Sequence, residues 1–137
     1  GVAPPATVKP EQISFSDLVL DPDGLVRRAL LFAQPGEGKC PTPFSFSFQL
    51  VRKYLEKEGI QPTNQKPGEY LKLGNQVFRP IHANSGSYQG IDARGYQILL
   101  NYRSTPSLAR KVTLSQILDN QLKPEWVRDR IVLIGTT

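Results

Sequence analysis

Apolar residues gather into two runs near the start of the chain, Ile13 to Leu20 and Leu25 to Phe32, separated by Asp21-Pro22-Asp23-Gly24. Proline presets φ for a turn, and Asp-Gly tolerates left-handed backbone, so the pattern predicts a β-hairpin. Arg27 and Arg28 stand side by side on its second limb. Adjacent strand residues point to opposite faces, which makes one of these arginines a candidate inward or groove-facing cation. The next stretch, Gln34 to Pro43, holds Pro35, Gly36, Gly38, Pro41 and Pro43 and reads as a loop carrying Cys40. From Phe44 the apolar positions fall at Phe44, Phe48, Val51 and Leu55, a helical stripe that Gly59 would stop. The Phe44-Ser45-Phe46-Ser47-Phe48 opening could also alternate as a strand.

Beyond a polar loop from Gln61 to Gly68, Tyr70 to Leu73 and Val77 to Ile81 flank Gly74-Asn75-Gln76, predicting a second hairpin. Asn84 to Gly95 is rich in Gly, Ser and Asn. Tyr96 to Tyr102 then reads as a strand whose apolar middle implies cover on both faces. Ser104 to Lys111 is a loop, Thr113 to Leu118 a short helix, and Pro124 to Arg128 another opened by proline. Arg130 to Gly135 reads as a short buried strand ended by Gly. Hairpins mixed with helix-flanked strands predict the α/β class, with a mixed rather than wholly parallel sheet. Residues 1–12, with Pro4, Pro5 and Pro10, read as a linker or edge segment.

With 137 residues the chain has the length of one ordinary domain, or of part of one. Its apolar runs are far shorter than the about 20 residues of a membrane-spanning helix. The chain has no Met and starts at Gly1, which reads as an excised piece of a longer protein. Lys and Arg outnumber Asp and Glu by 17 to 12, a formal charge of +5. These charges are scattered and no nucleic-acid-binding motif accompanies them, so the reading includes no nucleic-acid partner. One Cys excludes an internal disulfide framework and multi-cysteine zinc sites, and one His excludes paired-histidine metal sites.

Individual motifs narrow the chemistry further. Asp21-x-Asp23-Gly24 opens like a calcium loop, but Val26 stands where that loop needs Gly and Phe32 where it needs Glu. Asp21, Asp23 and Gly24 are therefore read as a structural turn, with room for a carboxylate contact to Arg27 or Arg28. Cys40 and His82 lack any nucleophile signature, and neither Ser85-Gly86-Ser87 nor Ile134-Gly135-Thr136-Thr137 fits a phosphate loop. Asp17, Asp92 and Asp119 show no spacing that would pair them for acid/base work. The reading contains no catalytic residue, metal or cofactor. Asn101-Tyr102-Arg103 closes the predicted strand with three large polar side chains, and ligands in open α/β sheets tend to sit beyond the carboxyl ends of strands. Asn101, Tyr102 and Arg103, then Arg27 or Arg28, are the ligand-binding candidates. The rival for the first three is a strand simply leaving the core, and an arginine between apolar walls would favour a carboxylate or phosphate.

Taken together, Asp21, Asp23, Gly24 and Arg27, the Ser45-Phe46 pair, Asn101-Tyr102-Arg103 and the closing Val132 to Thr137 resemble the type-two CHASE domain, a cyclase and histidine-kinase associated sensory extracellular module. The resemblance covers about residues 13–137, read as the C-terminal portion of such a domain without its longer N-terminal half. It implies an extracytoplasmic, periplasmic sensor in a bacterial, often cyanobacterial, inner-membrane receptor. Transmembrane helices of the parent chain and a cytoplasmic cyclase or kinase, including two-component histidine kinases, would accompany it. The expected partner is an unknown small-molecule or physical stimulus, with a homodimer as a further option that the sequence leaves open. The rival from another class is a dimerisation or protein-docking module that binds no small molecule.

Overall fold

A computed structural model of the chain describes residues 5–34, 42–63, 69–104 and 108–135. The chain divides into two units, Gly1–Leu100 and Asn101–Thr137.

In the first unit, strand β1 (Arg28–Phe32) runs antiparallel to β5 (Tyr96–Leu99), with Arg28 opposite Leu99 and Leu30 opposite Gln97. The register shifts between Leu30 and Phe32. Such a bulge places one extra residue on β1, and Leu31 and Phe32, which would otherwise point apart, are both buried. Gly95, just before β5, lies against this bulge with φ +75°. A Cβ there would sit 2.6 Å from Leu30 Cδ1 and 2.9 Å from the Phe32 carbonyl oxygen. Only glycine combines that backbone with that approach.

Helix α1 (Phe46–Glu56) covers one side of β1. Ser45 caps it by accepting from the Phe48 amide, and this cap selects helix over the alternating-strand reading. Phe48 enters the core, whereas Val51 remains exposed on the predicted stripe. Gly59, at φ +72°, ends the helix as expected, and the Ile60 amide donates back to the Leu55 carbonyl. Strands β2 (Pro62–Thr63), β3 (Leu71–Leu73) and β4 (Gln76–Phe78) form a second antiparallel sheet, its β3–β4 hairpin turning at Gly74-Asn75. Tyr96 links the two sheets. Its hydroxyl donates to the Phe78 carbonyl at 2.8 Å and accepts from the Leu71 amide at 2.7 Å, while its ring stacks on Phe32 at 4.7 Å. Leu31, Phe32, Phe48, Leu71 and Tyr96 form the core.

The α/β reading holds, with every ladder antiparallel and a parallel bridge between Phe15 and Ser45. The first predicted hairpin is corrected. Its turn forms, with the Asp21 amide donating to Leu25 and Gly24 at φ +80°, but its limbs share a single bridge, Val19 to Arg28. Phe15 instead bonds to Phe44 and Phe46 at the helix start, which draws the Ile13–Leu20 run away and leaves β1 to pair with β5. The strand predicted over Tyr96 to Tyr102 ends at Leu99, and Leu99 and Leu100 are exposed instead of covered on both faces.

The second unit is sparser. Thr113 caps α2 (Leu114–Leu118) in a reciprocal arrangement with Gln116, and Pro124–Trp126 forms a 3₁₀ turn, shorter than the predicted helix. The Trp126 ring lies under Arg110 at 4.3 Å and near Lys123 at 5.8 Å. The closing segment predicted as a buried strand forms no ladder over Ile131 to Gly135, and Ile134 is 96% exposed. A strand needs hydrogen-bonding neighbours, and among the described residues none pairs with it.

Candidate functional site

The Asp21-Pro22-Asp23-Gly24 turn brings a carboxylate back over β1, and that carboxylate organises the site. Asp21 Oδ1 accepts from Arg28 Nε at 2.7 Å, and Oδ2 accepts from Arg27 Nη1 at 3.2 Å and from the Tyr88 hydroxyl at 2.8 Å. The Asp21 and Arg28 side chains are each only 3% exposed. Burial by itself would raise the Asp21 carboxyl; hydrogen bonds from Tyr88, Arg28 and Arg27 outweigh that and hold it below its ordinary value. The same bond to Asp21, followed by burial, raises Tyr88. Arg27 is 45% exposed and also grips Asp23, whose carboxyl it lowers with help from the Leu25 amide.

Arg28 is the groove-facing cation of the pair, buried on the cleft side, and nearly all its donors are engaged. Besides Asp21, its Nη1 donates to the Asp92 carbonyl at 3.1 Å and to Gln97 Oε1 at 2.9 Å, and its Nη2 to the Leu20 carbonyl at 3.2 Å. That uses four of the five N–H bonds of the guanidinium. The Tyr88 ring lies 5.4 Å from its Cζ. Gln97, opposite Leu30 on β5, donates both amide hydrogens to the carbonyls of Asp92 and Arg94. The Asp92 carboxylate turns outward to Arg94 at 2.6 Å, which holds it near a pKa of about 2.

Arg28, Leu30, Gln97 and Leu99 share one face of the β1–β5 pair, opposite the face formed by Ala29 and Ile98, which pack on the core. Arg28, Leu30 and Gln97 of this outer face floor a cleft of about 1340 Å³. One lip is Leu18 to Pro22 and the other Gln89 to Asp92. Asp21 therefore stands on one lip, bonded to Arg28 on the floor and to Tyr88 beside the other lip.

Of the candidates read from the sequence, the structure brings Asp21, Asp23, Arg27 and Arg28 together. Asn101, Tyr102 and Arg103 are exposed and belong to the second unit. Both carboxylates of the calcium-like turn are occupied by arginine side chains. His82 is exposed, its amide donating to Ser85 Oγ within a turn. Cys40, Thr136 and Thr137 lie outside the described residues. Sequence reasoning missed Tyr88 and Gln97 as parts of the site. Their only local signal was an aromatic residue in a Gly/Ser/Asn-rich loop and a glutamine inside an apolar strand.

The fold and its cleft define a small α/β module built around an internally neutralised ion pair. The chain belongs to the CHASE2 family: the family model described as the CHASE2 domain matches residues 2–137. CHASE2 domains are extracellular sensory modules of membrane signalling receptors. Neither a curated protein nor a solved structure matches the chain. Among the described residues, no helix is long and apolar enough to cross a membrane.

Proposed function

We propose that this chain is a non-enzymatic sensing module, placed on the extracytoplasmic side of a bacterial, in particular cyanobacterial, membrane receptor whose cytoplasmic output is a nucleotide cyclase or a kinase. Family membership is the observation that carries the reading. The cleft supplies a physical device for it. A stimulus shifts a receptor only if it binds two arrangements with different affinity. Here the Leu18–Pro22 lip is tied to the Gln89–Asp92 side through Arg28, which bonds the Leu20 and Asp92 carbonyls, and from beside that lip by one direct bond, Tyr88 to Asp21. An occupant that separates the lips breaks that bond, and one that fits the closed cleft preserves it.

Two measurements on the full-length receptor test the proposal. An alkaline phosphatase fused beside this segment is active if the module is extracytoplasmic, and an inactive fusion at every junction overturns the placement. Tyr88→Phe removes the hydroxyl and keeps the ring, so it shifts the basal output of the receptor. Output unchanged by both Tyr88→Phe and Leu20→Glu, at equal receptor levels, overturns the sensing role of the cleft.

A further inference from the structure

Resting on that reading of the cleft as the sensory site, we infer that its ligand is an uncharged, largely apolar small molecule and not a carboxylate or phosphate. The argument starts from the polar floor, which is already satisfied within the protein. Arg28 spends four donors on Asp21, Leu20, Asp92 and Gln97. Gln97 spends both donors and its acceptor on Arg28, Asp92 and Arg94. Charge is balanced in the same way, Arg28 against Asp21 and Arg94 against Asp92. An anionic ligand that paired with Arg28 through more than its one remaining N–H would have to replace Asp21 on the guanidinium, which exchanges one carboxylate for another and leaves Asp21 buried without its partner. Such an exchange has no net driving force.

The apolar walls are in the opposite condition. Leu20 is exposed on one lip, and Leu30 and Ile91 are only partly buried around the floor. Covering them removes apolar surface from water without disturbing a single floor hydrogen bond.

The test uses the uncharged fluorophore N-phenyl-1-naphthylamine, titrated into the 137-residue chain, with decanol, acetate and inorganic phosphate as competitors. The expected result is saturable fluorescence displaced by decanol and indifferent to acetate and phosphate. Leu20→Glu should weaken binding about tenfold, the loss expected when one leucine contact is replaced by a charge at the lip. Leu30→Ala, which puts no charge in the site, should weaken it by a similar or smaller factor. Leu114→Glu, at an exposed leucine of the second unit, should leave it unchanged, and circular dichroism checks that each variant is folded. The inference is overturned if acetate or phosphate displaces the probe, or if Leu20→Glu and Leu114→Glu weaken binding equally. It is also overturned if no probe binds while the receptor still responds to Tyr88→Phe, a result that leaves the sensing role standing.

Discussion

At the scale of single residues, Asp21 carries the most consequence, because three donors from two chain segments converge on its carboxylate. Its folded pKa lies below the ordinary value of 3.8, so ionised Asp21 stabilises the fold above that value. The contribution is lost as pH falls through the lowered folded value. Asp23 and Asp92 act in the same direction, Asp92 down to a pKa of about 2. Tyr88 has the opposite sign. Its raised pKa means that the neutral phenol supports the fold below pH 10, and this support disappears as pH rises through the folded value. Thermal melts across pH should therefore show an acid limb beginning below pH 3.8. Asp21→Asn should melt lower than the native chain at pH 7 and lose less on acidification, because a neutral amide has no ionisation to lose. Parallel acid limbs for the two proteins would show that Asp21 is not a major carrier of the dependence. Adjacency of Arg27 and Arg28 alone foresaw that one of the two would face inward or into a groove, not which one. The role of Arg28 could not be foreseen, since the Asp21 carboxylate that neutralises it comes from the turn, and Asp92 and Gln97, which orient it, come from a distant part of the chain.

Elements were legible where the physics is local. Gly74-Asn75 between apolar limbs marked the β3–β4 turn and Gly59 marked the end of α1, because turns and caps are set by a few neighbouring residues, whereas the Ser45 cap that chose helix over strand was not read from the pattern. The β1–β5 pairing was not legible. Nothing within β1 distinguishes Tyr96–Leu99 from the nearer Ile13–Leu20 run as its partner; the choice depends on Phe15 being held at the helix start and on Gly95 admitting the bulge. That dependence gives a paired experiment. Gly95→Ala must accommodate a Cβ 2.6 Å from Leu30 at a positive φ, whereas Gly90→Ala, at φ +66°, has open space around it and meets only backbone strain. Left-handed strain alone costs about 1 kcal/mol, and the clash adds to it, so Gly95→Ala should destabilise by about 2–4 kcal/mol and Gly90→Ala by about 1. Equal losses in chemical denaturation would mean that the bulge does not need glycine. Ser45→Ala offers an independent check on α1: loss of the cap should cost about 1 kcal/mol without altering the β1–β5 register, which cross-strand NMR contacts would report.

Across the whole molecule, apolar burial is distributed unevenly between the two units among the described residues, and stability should follow it. The first unit buries Leu31, Phe32, Phe48, Leu71 and Tyr96 in one cluster. Among the described residues of the second, none is buried, and its helix is five residues long, well below the length at which a helix is stable without packing. Its order comes from local devices: the Thr113–Gln116 cap, the Gln121 amide bonded to Gln116, and the cation–ring contacts at Trp126. Local devices of this kind open by local fluctuation, while amides in β1 and β5 open only when the core does. Native-state hydrogen exchange should accordingly find strong protection at Leu31, Phe32 and the β5 amides, and weak protection from Ser115 to Gln121. Phe48→Ala sharpens the test. Removing that ring should cost about 3–5 kcal/mol, equivalent to a fall in core protection of about 100-fold or more, because the cavity it leaves lies against Phe32 at 5.8 Å between ring centres. Protection from Ser115 to Gln121 should hardly change. If those amides instead match the core in the native chain and fall with it in Phe48→Ala, the two units unfold as one. A signal arising in the cleft would then reach the second unit through shared stability. If they stay apart, Leu99 and Leu100, where β5 ends and both side chains face solvent, mark the boundary at which the core's cooperative unfolding stops.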